Sequence, residues 1–108
     1  MQTQIHSSHF ETDIKLEDFI LTKMAKLNHI YDRIESSMVL LKLDKNDMEK
    51  NKVVEITLDI PGDRLFAKDQ SENLEQAFAM AFDEIKKQLM KHKIIALETF
   101  RSGLDPKK

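Results

Sequence analysis

The stretch from roughly Glu72 to Ile94 constrains the fold of this chain more than any other. Leu74, Ala77, Phe78, Ala81, Phe82, Ile85 and Leu89 recur at helical spacing and form one broad apolar face. A helix with such a face is not stable alone in water, so a second layer must cover it. Lys87 and Lys91, four residues apart, leave the same helix on another side, flanked by Lys86 and Lys93. One side of this helix is expected to hold the core and the other to offer positive charge.

The rest of the chain supplies the covering layer. Residues 1–7 alternate weakly, with Thr3, Ile5 and Ser7 on one face, which suits an edge strand. Asp13 is placed to cap a helix from about Ile14 to Arg33, because its carboxylate can accept from the free amides of the first turn. Glu17 and Asp18 also sit near that positive end. Leu16, Phe19, Ile20, Leu27, Ile30, Tyr31 and Ile34 mark the buried stripe, and Lys15, Lys26, His29 and Arg33 a neighbouring basic one. Lys23 falls in the apolar sector and is expected to snorkel at its border.

Ser36–Leu43 reads as a central strand, Asp44–Asn51 as a hairpin loop and Lys52–Ile60 as a half-buried strand. In the last, Val54, Ile56, Leu58 and Ile60 alternate with Val53, Glu55, Thr57 and Asp59. Pro61-Gly62 predicts a tight turn, since Pro presets its own φ and Gly accepts a positive one. Arg64–Lys68 returns as a short strand and Asp69–Ser71 lead into the second helix. Beyond Ile94 the periodicity fades, and Gly103 and Pro106 suggest a loose end. The expected architecture is α+β: two layers in the order β-α-β-β-β-α, a four-stranded sheet with two helices packed on one face. Residues 1–95 form the domain and 96–108 a tail.

Charge is unevenly spread. The net value is −2, yet residues 1–43 carry 5 basic and 6 acidic side chains, 44–83 carry 5 and 10, and 84–108 carry 7 and 3. Screening cuts phosphate attraction beyond about 8–10 Å at physiological salt, so a local basic patch outweighs the sum. There is no cysteine, which removes disulfide and thiolate chemistry. MQTQIHSSHF lacks the apolar core of a signal peptide and no run of about 18 apolar residues occurs, so neither export nor membrane insertion is expected. The expected location is cytoplasmic.

Chemistry is sparse. With only Gly62 and Gly103, no phosphate-cradling or nucleophile-elbow motif exists. His6, His9, Glu11 and Asp13 could be grouped around a metal, but no recognised ligand spacing is completed and surface histidines are the default reading. Carboxylate pairs such as Glu17/Asp18 and Asp83/Glu84 belong on helix surfaces. The chain reads as no enzyme, with no cofactor, no metal and no small-molecule substrate. Most methionines at apolar spacing read as gap fillers, with Met80, Met90 and Ile94 partly exposed near Lys87. The basic set is Lys23, Lys26 and Arg33 from the first helix with Lys86, Lys87, Lys91 and Lys93 from the second. Two parallel helices on one side of a sheet would place both on one surface, a ridge suited to phosphate backbones read by shape. Two other readings stay open: a stand-alone binder of structured RNA, and a protein-interaction module using the acidic sheet face of Glu55, Thr57 and Asp59.

Two segments carry a family resemblance. AKLNHIYDRI (25–34) resembles the end of the first helix in ribosome hibernation-promoting factors, relatives of ribosome-associated inhibitor A. KKQLMKHK (86–93) is similar to that family's basic segment. The resemblance covers about residues 1–95. It implies a fold similar to double-stranded-RNA-binding domains and a non-enzymatic role, in a short form lacking the extra C-terminal domain of longer members. These proteins bind the small ribosomal subunit in the channel where mRNA and transfer RNAs sit, block translation and preserve idle ribosomes in stress or stationary phase. It also implies ribosomal-RNA contacts at Lys23, Lys26, Arg33, Lys87, Lys91 and Lys93; Lys86 joins them from the basic set, and a monomer is expected away from the ribosome. Where members often carry Asp-x-Tyr early in the second helix, this chain has Asn73-Leu74-Glu75.

Overall fold

The computed structural model describes residues 2–7, 12–45 and 48–101, with side chains described only as far as 95. Six elements follow in the expected order: β1 (Gln2–Ser7), α1 (Ile14–Ile30), β2 (Ser36–Leu43), β3 (Lys52–Ile60), β4 (Asp63–Ser71) and α2 (Leu74–Arg101). The sheet order is β1-β2-β3-β4. β1 runs parallel to β2, which the α1 crossover requires, and the remaining pairs are antiparallel hairpins. β1 is an edge strand, as its polar alternation suggests.

Alternation decides which sheet face is covered. Val39 and Leu41 of β2, Val54, Ile56 and Leu58 of β3, and Leu65 and Ala67 of β4 point to the helices and are buried. Ile20, Met24 and Leu27 of α1 meet Ala77, Phe78, Ala81, Ile85 and Leu89 of α2 above them, in one contiguous core. Every residue read as the apolar face of α2 is in this core or packed against it. The two helices share one face of the sheet, and the other face is left to solvent.

Local chemistry sets the element ends. Asp13 caps α1: its Oδ1 accepts from the Lys15 amide at 3.0 Å, and its carbonyl from the Glu17 amide at 3.0 Å. Asn73 caps α2 in the same way, Oδ1 accepting from Gln76 N at 2.7 Å. The departure from Asp-x-Tyr thus keeps a capping side chain. Asp44 N donates to Asn51 O at 2.7 Å across the β2–β3 hairpin.

Three boundaries differ from the sequence reading. α1 stops at Ile30 rather than Arg33, because Tyr31 turns extended (φ −147, ψ 110) while its amide still donates to Leu27 O. Asp32 and Arg33 therefore form a turn, and Arg33 is not on a helix. β4 runs to Ser71 rather than Lys68, since all nine residues of β3 find partners down to Lys52↔Ser71. α2 continues past Ile94 to Arg101, for Ala96, Leu97 and Glu98 are good helix formers and no glycine or proline intervenes before Gly103. Residues 102–108 of the expected tail lie outside the described residues.

Gly62 occupies φ 79, the left-handed value expected of the Pro61-Gly62 turn. A Cβ there would meet nothing within 4 Å. Gly62→Ala is therefore expected to cost backbone strain alone, about 1 kcal/mol in denaturant midpoints, without disturbing either strand.

Candidate nucleic-acid interface

Contacts between the helices fix which flank of each faces the other. The Phe19 ring of α1 meets Phe78 of α2 edge-on, centroids 5.9 Å apart, and Phe82 leans on Phe78 at 5.7 Å. One turn beyond Phe19, the Lys23 ammonium lies 5.9 Å from the Phe19 ring centroid. Lys23 is half-buried, its stem along apolar surface and its charge over an aromatic face, the snorkelling geometry expected. Lys26 is exposed and stands within about 20° of Phe19 around the helix. Both lysines are thus on the flank of α1 that faces α2.

On α2 the opposite flanks are marked by different partners. Gln88 Nε2 donates to Phe66 O of β4 at 2.8 Å, so that flank covers the edge strand. Phe82, Lys86 and Lys93 lie within about 40° of one another on the flank toward α1. At its lower end Tyr31 meets His92 edge-on at 5.5 Å, tying the end of α1 to α2. By helical angle, Lys23 and Lys26 thus stand on the flank of α1 that faces α2, and Lys86 and Lys93 on the Phe82 flank of α2. Arg33 is exposed in the turn two residues after Tyr31, at the same end as Lys93.

Lys87 and Lys91 stand elsewhere. Lys87 points away from the core and pairs with Asp83 at 3.0 Å, one turn earlier. Lys91 is exposed about 140° round α2 from Lys86, between Lys87 and the β4 flank. The structure does not set Lys91 beside Lys26. Met80, Met90 and Ile94 are 42%, 41% and 49% exposed on this outward side, as expected. The sequence reading missed that Phe82 and the seven-residue spacing of Lys86 and Lys93 define the cleft. Angle relative to Phe82 was the available signal.

The open sheet face is not acidic. Glu55 is paired with Lys42, and Asp59 accepts from Arg64 Nε at 2.7 Å and from Ser36 Oγ at 2.8 Å. These bonds, Arg64 first and then Ser36, hold the Asp59 carboxyl below its ordinary value. The carboxylates expected to draw a partner are neutralised by their cross-strand neighbours. Among the described residues no group of three or more His, Asp or Glu could hold a metal ion. His9 and Glu11 of the grouping considered above lie outside the described residues.

A second carboxyl pair behaves differently. Glu84 of α2 faces the Asp69 carboxyl of β4. A hydrogen bond between the two carboxyls, reinforced by desolvation and by the Asp69 charge, raises Glu84 above its ordinary value; Lys87 pulls the other way. An acid raised on folding binds its proton more tightly in the native state. This contribution is present below the unfolded value and lost as pH rises through the folded one. Thermal melts are expected to show the Asp69→Asn chain gaining on the parent as pH rises from the ordinary glutamate range to above it. Parallel melting curves across that range would contradict the shared proton.

Comparison with known proteins places the fold in a family. The model of the family described as Sigma 54 modulation protein / S30EA ribosomal protein matches residues 3–94. The chain is 33% identical over 93 residues to the ribosome hibernation promoting factor of Pseudomonas putida, covering 86% of this chain and 87% of that protein. It is 30% identical to the factor of that name from Escherichia coli K12, covering 86% and 94%. A ribosomal subunit interface protein from Coxiella burnetii has the same fold, with TM-score 0.77 and 19% identity over 87% of this chain and 99% of that one. So does the N-terminal domain of Thermus thermophilus Protein Y, with TM-score 0.72 and 22% identity over 82% and 94%. Among the described residues, no helix is long and apolar enough to cross a membrane. The match takes in all four strands, α1 and α2 as far as Ile94, and on it the chain belongs to the Sigma 54 modulation protein / S30EA ribosomal protein family, the family of the hibernation promoting factors.

Proposed function

We propose that this protein is a cytoplasmic hibernation factor that binds the small ribosomal subunit in the channel for mRNA and transfer RNAs, so halting translation and preserving idle ribosomes. What supports this reading is the cleft that helical angle sets between α1 and α2, with Lys23 and Lys26 on one flank and Lys86 and Lys93 on the other, in a chain whose relatives are named for hibernation. Lysines held by a rigid two-helix frame meet phosphates by position rather than by base identity, which suits folded ribosomal RNA. Arg33 extends the cleft at one end. Lys87 and Lys91 add field from the neighbouring side, Lys87 less so because Asp83 partly neutralises it. The chain acts as a monomer and without catalysis. The paired carboxylates of the sheet face count against a protein-interaction module built on its acidity.

Sucrose gradients of purified small subunits with the protein test this reading. Cosedimentation is expected and should weaken steeply with salt, log K falling by about 0.7–0.9 per phosphate contact for each unit of log salt. Binding that ignores salt would contradict the cleft. Equal retention of isolated duplex RNA and of whole subunits would replace the ribosome with structured RNA in general.

A further inference from the structure

The face of the sheet turned away from the helices carries a feature remote from the cleft. Strand register sets Arg64 opposite Asp59 in one row across the sheet. In the next row Phe66 is opposite Thr57, which has Met38 on its other side. Arg64 and Phe66 share this face two residues apart on β4, about 7 Å along the strand. Arg64 Nε donates to Asp59 Oδ1 at 2.7 Å, and Ser36 Oγ donates to Oδ2 at 2.8 Å. The guanidinium is thereby held over the sheet, and its two Nη groups meet no acceptor among the described residues. It borders a hollow of about 340 Å³, lined by Met38, Asp59 and the uncharged groups of Gln2, Gln4, Ser36, Ser37 and Thr57. Phe66 stands next to the hollow, 49% exposed.

These groups select among ligands. A fixed guanidinium fork fits a carboxylate, a phosphate or the O6/N7 edge of guanine. Asp59 already neutralises the fork and repels a second anion, so a neutral pair of acceptors gains most. Adenine fits worse, because it sets an amino donor where guanine sets O6. The exposed Phe66 ring offers a flat base a stacking surface beside the fork. Lys68, exposed two residues further along β4, is placed for the phosphate of a neighbouring nucleotide, since Glu55 opposite it is already paired with Lys42. An added peptide strand is disfavoured at this edge, for Gln88 Nε2 already takes the Phe66 carbonyl at 2.8 Å. We propose that the open sheet face binds an unpaired guanine of single-stranded RNA, the base stacked on Phe66 and its O6/N7 edge read by Arg64. A duplex keeps its base faces stacked and so does not fit. The site goes beyond the hibernation reading: it lies across the sheet from the cleft, so both can be filled at once.

Titration of the nitrogen-15-labelled full chain with the pentanucleotides UUGUU, UUAUU and UUUUU tests this. Amide shifts are expected at Thr57, Arg64 and Phe66 and not at Lys23 or Lys86. UUGUU should bind about 10-fold tighter than UUAUU, the effect of one bidentate contact. Phe66→Ala should weaken UUGUU and UUAUU alike by about 10-fold through lost stacking. Arg64→Lys should bring UUGUU down to the level of UUAUU, because an ammonium cannot reproduce the fork. Both side chains are exposed, and melts verify that each variant is folded. Equal affinity for the three RNAs, binding unchanged by Phe66→Ala, shifts confined to the cleft, or no binding would each overturn the proposal. A sheet-face response to an acidic peptide and none to RNA would overturn it too, and give the face to protein. Cosedimentation with small subunits is read separately, through the cleft, and stands or fails independently.

Discussion

Reversing Lys23 and Lys86 together to glutamate should weaken binding to small subunits by about 100-fold or more. Each lysine is placed to give one charge-assisted contact of roughly 1.5–3 kcal/mol, and every 1.4 kcal/mol is a factor of ten. The salt slope should also fall by nearly two contacts. Lys86 is exposed, and Lys23 keeps its charge at the surface over the Phe19 ring, so the folded state should survive. The double reversal tests the cleft itself, since each residue comes from a different helix. Unchanged sedimentation with a native melt would show that the cleft is not the contact surface. Lys87→Glu with Lys91→Glu is expected to cost less, because Lys87 already has Asp83 as a partner and Lys91 faces away from α1.

Phe78→Ala should be the most destabilising single change. Phe78 is 1% exposed and is the largest fully buried side chain among the described residues. It touches Phe19 on the other helix and Phe82 on its own. Truncation removes apolar contact and leaves a cavity, about 3–5 kcal/mol together. Domains of this size are stable by about 5–15 kcal/mol, so the variant should lose much of that margin and melt well below the parent. It should also loosen α1 against α2 and so spread the lysines of the cleft. Phe78→Leu, nearer in volume, should recover most of the loss. Equal melting of all three would mean that Phe78 does not clamp the helices.

The layers were legible because two periods dominate the sequence. Val54, Ile56, Leu58 and Ile60 alternate so cleanly that β3 could face only one way. The apolar residues from Leu74 to Leu89 leave α2 one buried side. The caps are half legible: Asp13 carries its signal, whereas Asn73 stands where the resembling family often has Asp-x-Tyr and shows its capping role only through Gln76. Boundaries failed where packing outranked propensity. Tyr31 leaves the helix to meet His92, 61 residues further along the chain, a partner that local sequence does not reveal. Ser71 joins β4 because Lys52 of β3 pairs with it. The site was legible as a set of cations but not as a geometry. Angles along α2 are readable, yet which flank meets α1 depends on the Phe19–Phe78 contact and on Gln88 reaching Phe66, and both are tertiary. For the same reason Glu55 and Asp59 looked like an acidic surface until the register put Lys68 and Arg64 opposite them and brought Lys42 within reach of Glu55.

The absence of cysteine allows a direct measurement. An iron chelate tethered to a single introduced cysteine generates hydroxyl radicals at one chosen point, here Lys26→Cys in the cleft or Gln4→Cys on the open sheet face, with the protein bound to small subunits. The cleft site should cut small-subunit ribosomal RNA strongly at a few clustered positions, and the sheet site should cut weakly or elsewhere. Stronger cutting from Gln4→Cys than from Lys26→Cys would show that the sheet, and not the two-helix cleft, lies against the RNA.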